Sequence, residues 1–239
     1  MRLVLIGLDD TDNLESRGTG HLARQLSRAC EARGMRPAGV TRHQFLKDPR
    51  IPYTSHNSGA CVGVWADGDL AEVTFAFDFV SDRAAEGSDP GVCIAVAEEV
   101  EEAVQAFGRE AMCRVVEMFE ATDLAARSGL SLRGLGGKDL GVIGALGSVG
   151  LRASGNDGRF IELAGLRDLP ERVEVDRVMG LGIRLSGVEG KGDPARQDGF
   201  ETLGWVRPRL EAGQAVLPVE WSEARDAWIP VDRKGSQRV

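Results

Sequence analysis

Cysteine is scarce in this 239-residue chain, occurring only at positions 30, 61, 93 and 113. No CxxC pair and no nearby histidine clamp accompany these residues, which argues against a zinc site and against a disulfide framework. Cys30, Cys61 and Cys93 lie among apolar neighbours and read as small core hydrophobes. Long hydrophobic runs are lacking too: none approaches the ~18 apolar residues that span a bilayer. Met1-Arg2 leads directly into a short apolar stretch rather than a leader, so no membrane association and a cytoplasmic location are expected. Positive charge is in deficit, with 29 Lys and Arg against 37 Asp and Glu for a net charge of −8. Such a chain repels phosphate backbones at long range, which disfavours broad non-specific nucleic-acid binding but is compatible with a local basic groove. There is no internal repeat.

What remains is an ordinary globular composition, 42% hydrophobic and 28% charged. A chain of this length buries enough surface to fold without staples, so any metal would serve chemistry rather than stability. Leu3–Leu8 is a continuous apolar run, the mark of a strand buried on both faces. A helix follows from Thr19 to Arg33, with Thr19 as a plausible N-cap and Gly34 as its stop. Residues 38–46, 59–66 and 72–80 read as strands, the last from its alternation. A helix is expected over 90–107, capped by Asp89 and ended by Gly108. Residues 111–119 fit strand or helix, and 122–128 reads as helix. Gly141, Gly144 and Gly147 would give a helix a smooth packing face, or else mark a series of bends. Residues 160–163 are expected to pair with 149–153 as a hairpin across Ser154–Gly158. After Pro170 come a short element at 173–185, a polar glycine-rich loop at 187–199, and a three-strand meander from Trp205 to Val231, with turns at 211–214 and 222–226. Strands and helices alternate up to residue 165, so the fold class is α/β, with a β-rich C-terminal appendage over 166–239.

The most informative segment is Gly7-Leu8-Asp9-Asp10-Thr11-Asp12-Asn13. It places three carboxylates just past the end of the first strand, where ligands bind in open α/β sheets. Their mutual repulsion grows as the site dries. A magnesium ion removes that cost, taking oxygen ligands from one or two carboxylates and from substrate phosphates. The bland alternative is a solvated turn with one aspartate capping the next helix. Gly18-Thr19-Gly20 opens that helix, where backbone N–H groups favour an anion. Thr19 could contact a phosphate, accept one, or simply cap. The loop from Asp48 to Ala60 carries Tyr53, Thr54, Ser55, His56 and Asn57, hydrogen-bonding types suited to an acceptor pocket. Arg133-Gly-Leu-Gly136-Gly137-Lys138-Asp139, running on to Gly141, has the chemistry of a phosphate cradle, or of a flexible turn. Asp139 in place of Ser or Thr excludes a Walker A motif.

These pieces in this order resemble TiaS, the archaeal tRNA-isoleucine agmatidine synthetase family, over about residues 3–165. The match is to the N-terminal kinase-like domain only. The family pattern Gly-x-Asp-Asp-Thr-Asp-Ser corresponds to Gly7–Asn13, and a threonine at the following helix start to Thr19. A proline-punctuated loop ending Gly-Ala corresponds to Asp48–Ala60, Asn-Pro-Gly to Asp89-Pro90-Gly91, and Gly-Leu-Ile-Gly-Ala-Leu to Gly141–Leu146. The chain departs at Gly20, which stands for a second threonine, at His21 and Tyr53, which stand for an aromatic and a tryptophan, and at Thr54 and His56, which stand for basic residues. The resemblance implies a kinase-like fold of mixed sheet and flanking helices. It also implies ATP and Mg²⁺ as cofactors and activation of an acceptor by phosphorylation. Asp9, Asp10 and Asp12 would then hold the metal, with Asp10, Asp12 and Thr19 catalytic. Gly18, Gly20, Gly136, Gly137, Lys138 and Gly141 would contact the nucleotide. No counterpart of the family's OB-fold and zinc ribbon occurs in the sequence, so a small-molecule acceptor is expected and tRNA is disfavoured. A homo-oligomer is compatible with all of this. The rival readings are a metal-dependent phosphohydrolase and a non-catalytic nucleotide sensor that uses its tryptophan-rich end as a partner surface.

Overall fold

The computed structural model describes residues 1–54, 56–67, 70–188, 193–204 and 206–231. The chain begins with β1 (Arg2–Asp9), α1 (Thr19–Glu31), β2 (Arg36–Gln44), β3 (Ser58–Ala66) and α2 (Phe75–Ser81). It continues through β4 (Gly91–Val96), α3 (Glu102–Ala111), α4 (Met118–Arg127), β5 (Ser131–Gly134), α5 (Gly141–Ala153) and β6 (Arg159–Glu162). The C-terminal part adds β7 (Arg172–Glu174), α6 (Val175–Met179), β8 (Ile183–Gly187), β9 (Gly199–Glu201), β10 (Arg209–Glu211), β11 (Gln214–Ser222) and β12 (Ala227–Pro230). Eleven strands follow one another in the order β5-β4-β1-β3-β2-β6-β10-β11-β12-β9-β7, with β8 joined to β11. The sheet is mixed: β8–β11 and β9–β12 run parallel and the other pairs antiparallel. Among the described residues no helix is long and apolar enough to cross a membrane.

The first strand is central because both its faces are apolar. Val4, Ile6 and Leu8 point into a core shared with α1 and α2, whereas Leu5 points into a second core with α3, α4 and α5. β4 repeats the pattern, with Val92 and Ile94 on one side and Cys93 and Ala95 on the other. The thiols of Cys30, Cys61 and Cys93 are buried as expected, and burial pushes the first two up to about 11 and about 12. A third core, containing Phe160, Phe200, Leu217 and Trp228, fills the C-terminal part.

Three expectations fail, each for a physical reason. Residues 72–80 are not a strand: a 3₁₀ turn (Leu70–Val73) leads into α2. Alternating phenylalanines satisfy both periods, but Ala76, Phe77 and Val80 bury one helical face, and Phe75 and Phe79 meet edge-to-face one turn apart at 6.5 Å. The 90–107 helix is a strand followed by a helix. Gly91–Val96 is six buried residues between two cores, and amphipathic character begins only at Glu102. Gly108 lies inside α3 and serves close packing on α5 rather than chain termination. The 149–153 hairpin arm is the end of α5, and β6 pairs instead with β2 and β10.

The glycines of α5 resolve in favour of the helix. Gly147 packs on Phe45, and a Cβ on Gly150 would overlap the Val104 carbonyl of α3. The C-terminal meander is present as read, with turns at 211–214 and 222–226. Of its tryptophans, Trp228 is turned inward: it is 6% exposed, meets Trp221 edge-on at 5.7 Å and donates its indole N–H to Asp198. Ser55, Trp205 and residues 189–192 of the polar 187–199 loop lie outside the described residues.

Gly7 faces α5 so closely that a side-chain carbon would overlap the Ala145 carbonyl and sit 2.9 Å from Val149. Gly7→Ala is expected to destabilise the protein by roughly 2 kcal/mol or more, because backbone must move. Gly34→Ala, which meets nothing within 4 Å and only strains a φ of +86°, should cost about 1 kcal/mol. Urea denaturation of the two variants checks the order.

Candidate active site

The end of β1 carries Asp9 opposite Gly91 of β4. A Cβ on Gly144 of α5 would overlap the Asp9 carboxylate, so the acid lies directly against the helix's glycine surface. Burial there pushes the Asp9 carboxyl up to about 7, and the charges of Asp10 and Asp12 add to the effect. Asp10 adopts a left-handed backbone with φ of 51°, a conformation that aspartate tolerates better than most residues. This turns the chain off the strand. Burial, then the charges of Asp89 and Asp12, raise the Asp10 carboxyl to about 6.

Asp12 behaves differently. Its Oδ1 accepts from the Thr19 amide (3.1 Å) and hydroxyl (2.8 Å), and its Oδ2 accepts from the Thr54 hydroxyl (3.1 Å). Asp12 thereby supplies the cap that the sequence assigned to Thr19: Gly18 is the N-cap residue, and Thr19 is the first residue of α1. Thr19 is 5% exposed, and its hydroxyl also accepts from the Thr11 amide and hydroxyl at 3.3 and 3.2 Å. Its hydrogen bonds are complete within the protein.

Two cavities meet here. One of about 500 Å³ opens over Asp9, Asp10 and Asp12, with Phe45, Tyr53, Val116, Met118 and Ile143 forming an apolar wall. His56 and Asn57 line it as well. The second, of about 400 Å³, lies beyond Asp12, Thr54, His56 and Ser58, and includes Gly18, Thr19 and Gly20. The sequence-designated loop and helix start are thus brought together. The other glycine loop is not: Gly136, Gly137, Lys138 and Gly141 line neither cavity. Asp89 holds that loop, its Oδ1 accepting from the Lys138 amide at 2.7 Å. Gly141 packs on the backbone of Asp9 and Asp89. Asp89 is therefore not a helix cap but a fourth carboxylate beside Asp10, marked in the sequence only by the Asp-Pro-Gly motif.

Among the described residues no three His, Cys, Asp or Glu side chains converge as a ready ligand set. A magnesium ion needs only one or two carboxylates when phosphate oxygens complete its shell. The raised Asp9 and Asp10 carboxyls, at the cavity floor, fit that demand. Asp12, with three hydrogen bonds already accepted of about four possible, has room for one more contact.

No protein-family model and no curated protein matches the chain. Solved structures do. A tRNA fluorescent labeling enzyme is 28% identical over 62% of this chain and 36% of its own, with a TM-score of 0.55. Apo TiaS, a tRNA agmatidine synthetase, is 26% identical over 62% of this chain and 35% of its own, with a TM-score of 0.54. TiaS in complex with tRNA and ATP gives 26%, 63%, 36% and 0.55. The chain has a TiaS-like fold over that share, and it spans about a third of the length of the solved chains it matches.

A carboxyl whose folded-state pKa lies above its unfolded value holds its proton more tightly when folded. For Asp9 the contribution is full below pH 4 and is lost as pH rises towards about 7. In magnesium-free buffer, Asp9→Asn should therefore be more stable than the wild type at pH 7.5, by about 1–3 kcal/mol. The difference should shrink at pH 5. Thermal melts at the two pH values measure it.

Proposed function

We propose that the chain is an ATP- and Mg²⁺-dependent phosphotransferase or ligase-like enzyme that activates an acceptor by phosphorylation. The observation that carries this reading is the junction of two cavities at Asp12, Thr54, His56 and Ser58, one floored by aspartates and walled by apolar side chains, the other polar. The likeness to a solved TiaS structure holding tRNA and ATP supports the nucleotide. The adenine and ribose would use the apolar wall around Phe45, Tyr53 and Met118, with the phosphates turned to the carboxylates.

Asp9 and Asp10 would hold Mg²⁺, and Asp12 would add one contact. The bound ion would neutralise charge on the transferred phosphoryl group. Thr19 and Thr54 position Asp12 through the hydrogen bonds described above. Gly18 and Gly20 line the second cavity rather than the aspartate one, so the start of α1 would meet phosphate oxygens only from that side of Asp12. Gly136, Gly137 and Gly141 let the Lys138 loop fold back on Asp89, whose carboxylate accepts from the Lys138 amide, so this loop would act on the site through Asp89 rather than by lining either cavity. In the Asp48–Ala60 loop, His56 lies where the two cavities join, and Tyr53 and Asn57 line the aspartate cavity alone. A net charge of −8 favours a small-molecule acceptor over tRNA.

Calorimetry with ATP should show binding with Mg²⁺ and little without it. Asp10→Asn should abolish the magnesium dependence. Thr54→Val, which removes a hydrogen bond that orients Asp12, should weaken Mg·ATP binding by about 10-fold. Equal ATP affinity with and without Mg²⁺ would overturn the reading. Release of inorganic phosphate with no acceptor present would favour a phosphohydrolase.

A further inference from the structure

The phosphotransfer reading leaves the acceptor's chemistry open, and the second cavity addresses it. Five arginines line its wall: Arg17, Arg24, Arg42, Arg167 and Arg207. Asp12 is the lone carboxylate among its described lining residues; its oxygens accept from Thr19 and Thr54, and its charge favours the Arg42 guanidinium. Glu162 stands behind Arg167 at 3.2 Å. Such a concentration of positive charge in a chain of net charge −8 is a local feature, gathered from distant parts of the sequence. Arg17 precedes α1 and Arg24 lies in its second turn, Arg42 comes from β2, Arg167 follows β6, and Arg207 precedes β10.

Several of the guanidiniums are held in place. Arg42 donates to the Ser58 hydroxyl at 2.9 Å, Arg167 to the Ile161 carbonyl at 2.8 Å, and Arg24 to the Gly20 carbonyl at 3.2 Å. Their charges repel one another. Burial, reinforced by Arg42, Arg167, Arg24 and Arg159, pushes the Arg207 guanidinium down to about 10. Arg24 is lowered by burial and by its arginine neighbours, with Glu162 opposing. The His21 imidazole, on the same wall, is lowered by burial and by Arg17, Arg24 and Arg28. A preorganised cationic cavity of this kind is stabilised when an anion enters.

We infer that the arginine-lined cavity holds the acceptor, and that the acceptor is a small anion bearing a phosphate or carboxylate group. The inference rests on the phosphotransfer reading for the word acceptor, while the anion site stands on the arginines alone. The volume of about 400 Å³ suits a metabolite-sized molecule. Its border with the aspartate cavity at Asp12, Thr54, His56 and Ser58 would bring the acceptor within reach of the γ-phosphoryl group. In the transfer, an oxygen of the acceptor forms a bond to the γ-phosphorus, the bond to the bridging oxygen breaks, and ADP leaves with that electron pair. The acceptor's proton, where it has one, passes to solvent.

The test uses inorganic phosphate and citrate as probes on the full chain in magnesium-free buffer, followed by calorimetry. Both anions should bind the wild type, and Arg42→Gln and Arg207→Gln should each weaken them at least 10-fold. Arg207→Lys should recover part of the loss. Arg24→Gln, on the helix surface, gives the same readout should either of the others fail to fold. With Mg²⁺ and a non-hydrolysable ATP analogue already bound, phosphate should still bind. Its exclusion by the analogue would mean that the arginines serve the nucleotide's own phosphates, and would overturn the proposal. Unchanged phosphate affinity in all three glutamine variants would also overturn it. A single-stranded RNA 12-mer binding at least 10-fold more tightly than phosphate, through the same arginines, would replace the small anion with a nucleic acid. Because anion binding is read without turnover, failure of the ATP reading leaves this result standing separately.

Discussion

Asp9 lies against α5 with no room for a side chain between them, and the rest of the site follows from that contact. The strand must stay apolar on both faces to remain central, so the first polar residues can appear only where it ends. The helix must carry glycine at 144 to reach the strand end at all. Together these place a carboxylate at a dry, crowded position next to two more acids from the same turn and one, Asp89, from the segment that leads into β4. The burial that makes Asp9 costly as an anion is the same packing that forms the cavity floor. Asp12 accepts hydrogen bonds from two hydroxyls and an amide, which makes it an anchor for α1 and for Thr54 of the following loop.

Charge is sorted over a short distance. On one side of Asp12 the cavity carries three aspartates and an apolar wall, its Arg50 and Arg114 being paired with acids, and on the other it is cationic. A cation with a triphosphate suits the first environment and an anion suits the second. The two compartments are complementary to two different ligands and share the four residues between them. The C-terminal part contributes to this division, since Arg167 and Arg207 come from the segments that join the two halves of the sheet at β6 and β10.

Much of this was legible in the residues and some was not. The central strand, the first helix and the aspartate turn follow from a continuous apolar run, a 3.6-residue period and three adjacent acids. The stretches at 72–80 and 90–107 misled because short apolar segments satisfy more than one period, and only burial between two cores decides between them. Thr19 looked like a cap because threonine favours that position. The cap instead came from Asp12, seven residues earlier and folded back over the helix, a relation no local pattern encodes. Asp89 was hidden behind Pro90, which marks a helix start as readily as a strand start. The arginine cavity could not be read at all: its members are spread from residue 17 to 207, and an overall acidic composition masks them.

The central claim is that acids crowded at the end of β1 are completed by a divalent cation and a phosphate group. Carbon-13 NMR titration of the aspartate carboxyl groups tests it directly, in the free protein and with Mg²⁺ plus a non-hydrolysable ATP analogue. The account predicts two carboxyls titrating near 6 and 7 in the free protein, assigned to Asp10 and Asp9, and both falling below the range of ordinary aspartates once the metal and nucleotide bind. Carboxyls that titrate like solvent-exposed aspartates in the free protein, or that keep their raised values with metal and nucleotide present, would contradict it.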